Sequence, residues 1–281
     1  MTYVVDDQGM KLGNEASKLF FEIIERVTSS NSIVAFDCEG INLSRLGTVE
    51  IVSLYVEENG GITFLVDLHN TGLNAALRHE RVVALKKLFE SNSVTKVIHD
   101  CRMDSDALYH LEGISLNNVH DTSCYHFILT GTENKSLNDV LEYNDIIPNA
   151  SRDKSIYNNN YQFWATRPMS PKMIEWSSGD VNKLLTLAIK QKQACNLLQM
   201  NKANEESKKY AEVVRSMYVV NGVTLKIQIG RFIGPRGSNI RRVQKNTGTV
   251  IYRDGTSFED KWMIFYPNIH ALNLAKREMG H

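Results

Sequence analysis

Several things that would mark out a special class of protein are scarce or missing from this chain of 281 residues. It has only 4 cysteines, Cys38, Cys101, Cys124 and Cys195, with no CxxC pair and no zinc-ligand spacing. They are expected to be reduced thiols serving as small apolar residues. No run approaches the roughly 20 apolar residues of a membrane-spanning helix. The N-terminus, MTYVVDDQGM, carries two acids where a signal region would be basic and then apolar. The expectation is a soluble intracellular protein, cytoplasmic or nuclear and not secreted, without a membrane partner. Internal repeats and low-complexity tracts are also missing. So is an excess of either charge: 32 Lys+Arg face 32 Asp+Glu. That balance hides an asymmetry. Residues 1–200 hold 18 basic and 25 acidic residues, and residues 201–281 hold 14 and 7. An acidic part suited to metals is joined to a basic part suited to a polyanion.

Residues 15–28 (EASKLFFEIIERVT) place apolar residues at helical spacing. SIVAFDCEG, IVSLYV and ITFLVDL read as strands, the last two joined by the glycine turn EENGG. RVVALKKLFES then reads as helix, TKVIHD as strand, and MDSDALYHLEG as a helix ending on Gly113. NNVHDT is a short strand entering the helix that holds Cys124. The pattern predicts an α/β fold whose mixed sheet opens with antiparallel strands. Residues 144–170 read as a long ordered loop, which in a compact domain is usually functional. Helix resumes at Ser170-Pro171, an N-cap and first-turn pair, and continues with an interruption to about Met200. NKANEESKKYAEVVRSM is charged, helical and linker-like. The domains are expected at 1–205 and 206–281.

Four acids carry the chemistry: Asp37 and Glu39 in FDCEG, Asp104 in HDCRMDSDAL and Asp180 in EWSSGDV. On a strand, residues i and i+2 share a face, so Asp37 and Glu39 can reach one metal site. Clustered carboxylates repel one another unless divalent cations neutralise them, and hard oxygen ligands suit Mg²⁺ or Mn²⁺. Asp100, Asp106 and Asp121 are weaker candidates, Asp121 reading as a helix cap.

These segments resemble the DEDD superfamily of 3′–5′ exonucleases on the ribonuclease D branch, with an Egalitarian-like flavour. The resemblance rests on FDCEG, KVIHDCRMDSDAL, VHDTSCYHFIL, SLNDVL, DKS…FWATRPMS and EWSSGDVNKLL. It implies a ribonuclease H-like mixed sheet with flanking helices over roughly residues 30–200. It also implies two metal ions about 4 Å apart held by Asp37, Glu39, Asp104 and Asp180, and stepwise release of nucleoside monophosphates. One position departs. Where the family's tyrosine subclass orients the attacking water with a Tyr hydroxyl, this chain has Trp176, whose indole N–H donates but cannot accept.

In the basic part, GRFIGPRGSNIRRVQKNTG is flanked by VTLKIQI, TVIYR and KWMIFY as strands and NIHALNLAKREM as a helix. This order and the IGPRG loop resemble a small α+β type I KH domain. By that resemblance Gly234, Pro235, Arg236 and Gly237 contact phosphate, and Ile233, Ile240 and Val243 form or support an apolar groove. Arg241, Arg242, Lys245 and Arg253 add attraction for the backbone. Together the two parts imply a two-metal 3′–5′ exonuclease gripping single-stranded nucleic acid, RNA ahead of DNA. The alternative is a pseudo-exonuclease serving as an RNA-binding adaptor.

Overall fold

The computed structural model describes residues 1–58, 60–70, 72, 75–133, 135–153, 155–156, 160–255 and 260–281, apart from the Leu12 and Arg236 side chains. The chain forms two compact units, Met1–Glu212 and Val213–His281.

Among the described residues, the sheet of the first unit has six strands. They are β1 (Thr2–Val5), β2 (Ile33–Glu39), β3 (Ile51–Val56), β4 (Ile62–Asp67), β5 (Thr95–Ile98) and β6 (Val119–Asp121), in the order β1-β4-β3-β2-β5-β6. β2, β3 and β4 form an antiparallel meander, β1 lies parallel to β4, and β5 and β6 run parallel to β2. The fold is therefore mixed α/β with a central mixed sheet, as the sequence implies. Gly60 and Gly61, both at positive φ, lie in the turn between β3 and β4. β1 was not expected from the sequence, because TYVV is too short to show a period of its own. It forms by pairing Thr2–Val5 with Thr63–Val66.

The alternation of β2 divides its side chains between two cores. Phe36 and Cys38 pack with Ile24 of α2 (Glu15–Thr28) and Leu85 of α3 (Ala75–Glu90). Ala35 joins Val97 and Leu184 in a core on the opposite face. Asp37 and Glu39, in phase with Ala35, fall on that second face, under the C-terminal helices.

Among the described residues, the remaining α-helices of this unit are α1 (Asp7–Leu12), α4 (Arg102–Glu112), α5 (Thr122–Thr130), α6 (Leu137–Tyr143), α7 (Pro171–Val181), α8 (Leu184–Ala194) and α9 (Leu197–Val213). α7 starts as its Ser-Pro pair predicts, with Ser170 Oγ accepting from Met173 N at 3.2 Å. α9 contains most of the charged run expected to be a linker, yet it packs on the first unit. Ala203, Ser207 and Ala211, one per turn, are buried, and Ser207 Oγ accepts from Asp121 N at 3.0 Å. A stripe of small residues lets the helix approach closely, and it is easily overlooked among so many charges. The units consequently part after Glu212, beyond residue 205.

Among the described residues, the second unit has a three-stranded antiparallel sheet ordered β7-β9-β8, with β7 (Tyr218–Thr224), β8 (Val250–Arg253) and β9 (Lys261–Tyr266). Its helices are α10 (Ile229–Ile233), α11 (Ser238–Thr247) and α12 (Ile269–Glu278). The first strand is YVVNGVT rather than the expected VTLKIQI, and its pairing shifts between Val220 and Val223. Beyond Thr224 the alternation of VTLKIQI still works, because Leu225, Ile227 and Ile229 turn onto the core without a strand partner.

Candidate metal centre

Asp37 and Glu39 reach one face of β2 because only Cys38 separates them. Asp180 comes from the last turn of α7. Among the described residues these three form a possible ligand set, each with a carboxylate oxygen within 4.8 Å of the others. Burial, followed by the charges of Asp104 and Asp180, pushes Asp37 well above the usual carboxylate range. Glu39 is raised by burial and then by Asp37 and Asp180. A group of oxygen donors that resists ionisation without a counter-charge fits a hard divalent cation.

Asp104 takes a different role in the geometry. It is buried in the first turn of α4, and its Oδ1 accepts from Cys38 N at 3.0 Å. Burial pushes it up to about 7. It lies next to the cluster, bonded to the strand between Asp37 and Glu39, but outside the group of three.

Asp180 accepts two hydrogen bonds and lies near a cation. Asn149 Nδ2 donates to Oδ1 at 2.7 Å, Trp176 Nε1 donates to Oδ2 at 3.0 Å, and Arg152 Nε lies 3.5 Å from Oδ2. Trp176 is 1% exposed and packs edge-on against Trp164 with ring centroids 5.5 Å apart. Its single donor is therefore committed to Asp180. Gly179 makes room for Asn149, since a Cβ there would lie 2.6 Å from both Nδ2 and Oδ1 of the amide. Sequence reasoning missed Asn149 and Arg152. They lie in the 144–170 loop, an Asn- and Ser-rich stretch with three basic residues, Arg152, Lys154 and Arg167, and no periodicity to single out any of them.

Other acids near the centre are spent on structure. Asp100 sits at φ 60 and is gripped by Arg102 through Nε and Nη2 at 2.6 and 2.8 Å. Burial raises its pKa, but Arg102 more than offsets this and holds it low. Asp121 caps α5 and accepts from Asp100 N and Cys101 N at 3.0 and 2.8 Å, fixing the turn into α4. Asp106 pairs with Arg45 at 2.6 Å. Arg167 of the W-A-x-R-P motif clasps Asp67 at the end of β4 at 2.6 and 2.8 Å, anchoring the segment before α7. A cleft of about 250 Å³, lined by Asp37, His99, Asp100, Lys135, Arg152 and Asp180 among others, opens onto the cluster.

In the second unit, Gly234 and Gly237 both adopt positive φ (70° and 78°) on either side of Pro235 and Arg236, directly before α11. The Arg236 side chain lies outside the described residues. Ile233, Ile240 and Val243 pack in or against the unit's core. Arg242 pairs with Glu278 at 3.1 Å and Arg253 with Asp260 at 2.6 Å. Arg241 places Nη1 2.8 Å from where a Cβ of residue 237 would be, and Lys245 lies in the last turn of α11.

Comparison with known proteins agrees with the geometry of the first unit. Piwi-interacting-RNA biogenesis protein EXD1 of Mus musculus is 28% identical over 172 residues, 56% of this chain and 29% of that protein. The same protein of Homo sapiens is 26% identical over 189 residues, 63% of this chain and 35% of its own length. The chain thus spans about a third of these curated relatives. Escherichia coli RNase D superposes with a TM-score of 0.56 at 17% identity, covering 75% or more of this chain (78%) and 52% of the other. Trypanosoma brucei RNase D in complex with RNA U12 gives 0.57 at 18%, covering 75% and 69%. Such low identities show a shared fold. The profile of the 3′–5′ exonuclease family matches residues 15–193. That span contains Asp37, Glu39, Asp104 and Asp180, and the chain belongs to the 3′–5′ exonuclease family.

Proposed function

We propose that the first unit is a divalent-metal-dependent 3′–5′ exonuclease acting on single-stranded nucleic acid, RNA ahead of DNA. The observation that carries this is the convergence of Asp37, Glu39 and Asp180, from one strand and one helix, to within 4.8 Å. A bound divalent cation, Mg²⁺ or Mn²⁺, supplies an activated water and neutralises charge on the phosphodiester. Asp37, Glu39 and Asp180 hold the ions, with Asp104 completing the family's set of four and the family's count being two ions. Lys135 and Arg152 at the cleft offer cationic partners to the backbone of the strand.

We read residues 213–281 as a type I KH domain that grips the substrate. The β-α-α-β-β-α order and the paired positive-φ glycines around Pro235-Arg236 support this. Backbone contact falls to Gly234, Pro235, Arg236 and Gly237, and electrostatic attraction to Arg241, Arg242, Lys245 and Arg253. Pro235 removes one backbone donor, which places more of the phosphate contact on Arg236. The name of the mouse and human relatives supports RNA as the polymer.

A second reading, a pseudo-exonuclease retained as an RNA-binding adaptor, is favoured by one observation. Trp176 has no acceptor for water and spends its only donor on Asp180. The test is purified protein with 5′-labelled single-stranded RNA and Mn²⁺, beside the Asp37→Ala/Glu39→Ala variant. A ladder shortening one nucleotide at a time from the 3′ end, lost in the variant, supports the exonuclease. Intact RNA that is still retarded in a gel supports the adaptor.

A further inference from the structure

Arg152 differs from Arg45 and Arg167, which also meet acids in this unit. Arg45 and Arg167 approach their carboxylates at 2.6 Å, in close hydrogen-bonded pairs. Arg152 makes a single 3.5 Å approach from Nε to Asp180 Oδ2, an oxygen already bonded to Trp176. Its charge nevertheless acts on Asp37, Glu39 and Asp180 together, opposing the repulsion among them. It lines the same cleft as Asp37 and Asp180, and a quarter of its side-chain surface remains exposed (25%). The stem of the loop is fixed independently, because Asn149 Oδ1 accepts from Ser151 N at 3.1 Å and Asn149 Nδ2 donates to Asp180. The guanidinium can therefore swing within the cleft while Asn149 keeps its hold on Asp180.

We propose that Arg152 is the resident counter-ion of the carboxylate cluster, and that it yields to divalent cations when the phosphate of a nucleic-acid 3′ end draws it away. Metal loading is then coupled to substrate binding. This rests on the reading of the cluster as a metal centre. A carboxylate offers about four lone-pair positions. With Asn149, Trp176 and Arg152 in place, Asp180 has few left, and a cation entering beside Arg152 meets a like charge. Phosphate is the natural competitor for the guanidinium, because its oxygens match the planar fork of donors in a way that one long contact to Oδ2 does not. Coupling of this kind is reciprocal and typically amounts to a 5–150-fold change in affinity.

The test is Mn²⁺ binding to the full chain, measured by titration calorimetry and by tryptophan fluorescence, to which Trp176, bonded to Asp180, contributes. Wild type, Arg152→Gln and Arg152→Lys are compared, each with and without a single-stranded RNA ending in a phosphorothioate linkage. Without RNA, Arg152→Gln is expected to bind Mn²⁺ about tenfold more tightly than wild type. Arg152→Lys, which keeps the charge, is expected to stay close to wild type. RNA is expected to tighten Mn²⁺ binding more in wild type than in Arg152→Gln. Equal Mn²⁺ affinity in wild type and Arg152→Gln overturns the role of Arg152 and leaves the metal centre intact. So does a Lys variant that binds as tightly as the Gln variant. Absence of Mn²⁺ binding in all three proteins, with or without RNA, overturns the metal centre and this inference together. Near-UV circular dichroism on each variant checks that the Trp164–Trp176 packing is kept.

Discussion

The bond from Trp176 Nε1 to Asp180 Oδ2 can be measured without any activity assay. Trp176→Phe removes the donor and shrinks a side chain that is 1% exposed. A hydrogen bond to a charged group contributes about 1.5–3 kcal/mol. The volume lost between indole and phenyl adds roughly 1 kcal/mol if the pocket does not collapse. The metal-free protein should lose about 3 kcal/mol, which lowers Tm by about 6–12 °C for a unit of this size. Asp180→Asn and the double variant complete a cycle that cancels the packing loss, leaving a coupling of about 1.5–3 kcal/mol. The assay is chemical denaturation in chelator, followed by near-UV circular dichroism. A coupling below about 0.5 kcal/mol would mean that the indole does not hold Asp180.

The same centre makes the metal-free protein depend on pH. Asp37, Glu39 and Asp104 have folded-state pKa values above their unfolded values, Asp104 reaching about 7. The native state then holds more protons than the unfolded chain between about pH 4 and 7, so stability falls as pH rises through that window. In chelator, Tm should drop from pH 5 to pH 8, and Asp104→Asn should flatten the slope; an unchanged slope would refute the assignment to Asp104. Gly179→Ala should destabilise by about 1–3 kcal/mol despite alanine's better helix propensity, since its Cβ would lie 2.6 Å from the Asn149 amide. In an Asn149→Ala background the same change should become neutral or stabilising, and simple additivity in denaturant titrations would count against the clash. Gly237→Asp, which puts a negative charge in the IGPRG loop at φ 78, should weaken RNA binding at least tenfold in filter assays with the fold retained. Undiminished binding would exclude that loop as a phosphate contact.

Much of this was legible in the sequence because it depends on short-range periodicity. The i, i+2 spacing of Asp37 and Glu39 sets their common face on any strand, and Ser170-Pro171 starts a helix wherever it lies. Gly113 ends α4 at φ 66, as its position after LYHLE implies. The mixed sheet, antiparallel at its start and parallel after TKVIHD, was readable from the change between hairpin and helical connections. The less legible parts depend on partners distant in sequence. β1 acquires its strand character from β4, some 60 residues away. α9 looked like a linker until its small-residue stripe met α4 and β6, and VTLKIQI has the period of a strand although only its first two residues, Val223 and Thr224, join the sheet.

The sequence by itself therefore determined the chemistry available to this protein: carboxylates at strand and helix spacing, an indole where a phenol is usual, and basic residues gathered toward the C-terminus. Tertiary structure decided how those groups are used. It turned Asp104 onto Cys38 N, committed the Trp176 donor to Asp180, and brought Asn149 and Arg152 from a loop with no periodic signal into contact with the same carboxylate. The physical reason is range. Periodicity fixes which way a side chain leaves its own element, whereas the counter-charges and donors that set the behaviour of a buried acid arrive from elements tens of residues away, and only packing brings them within hydrogen-bonding distance.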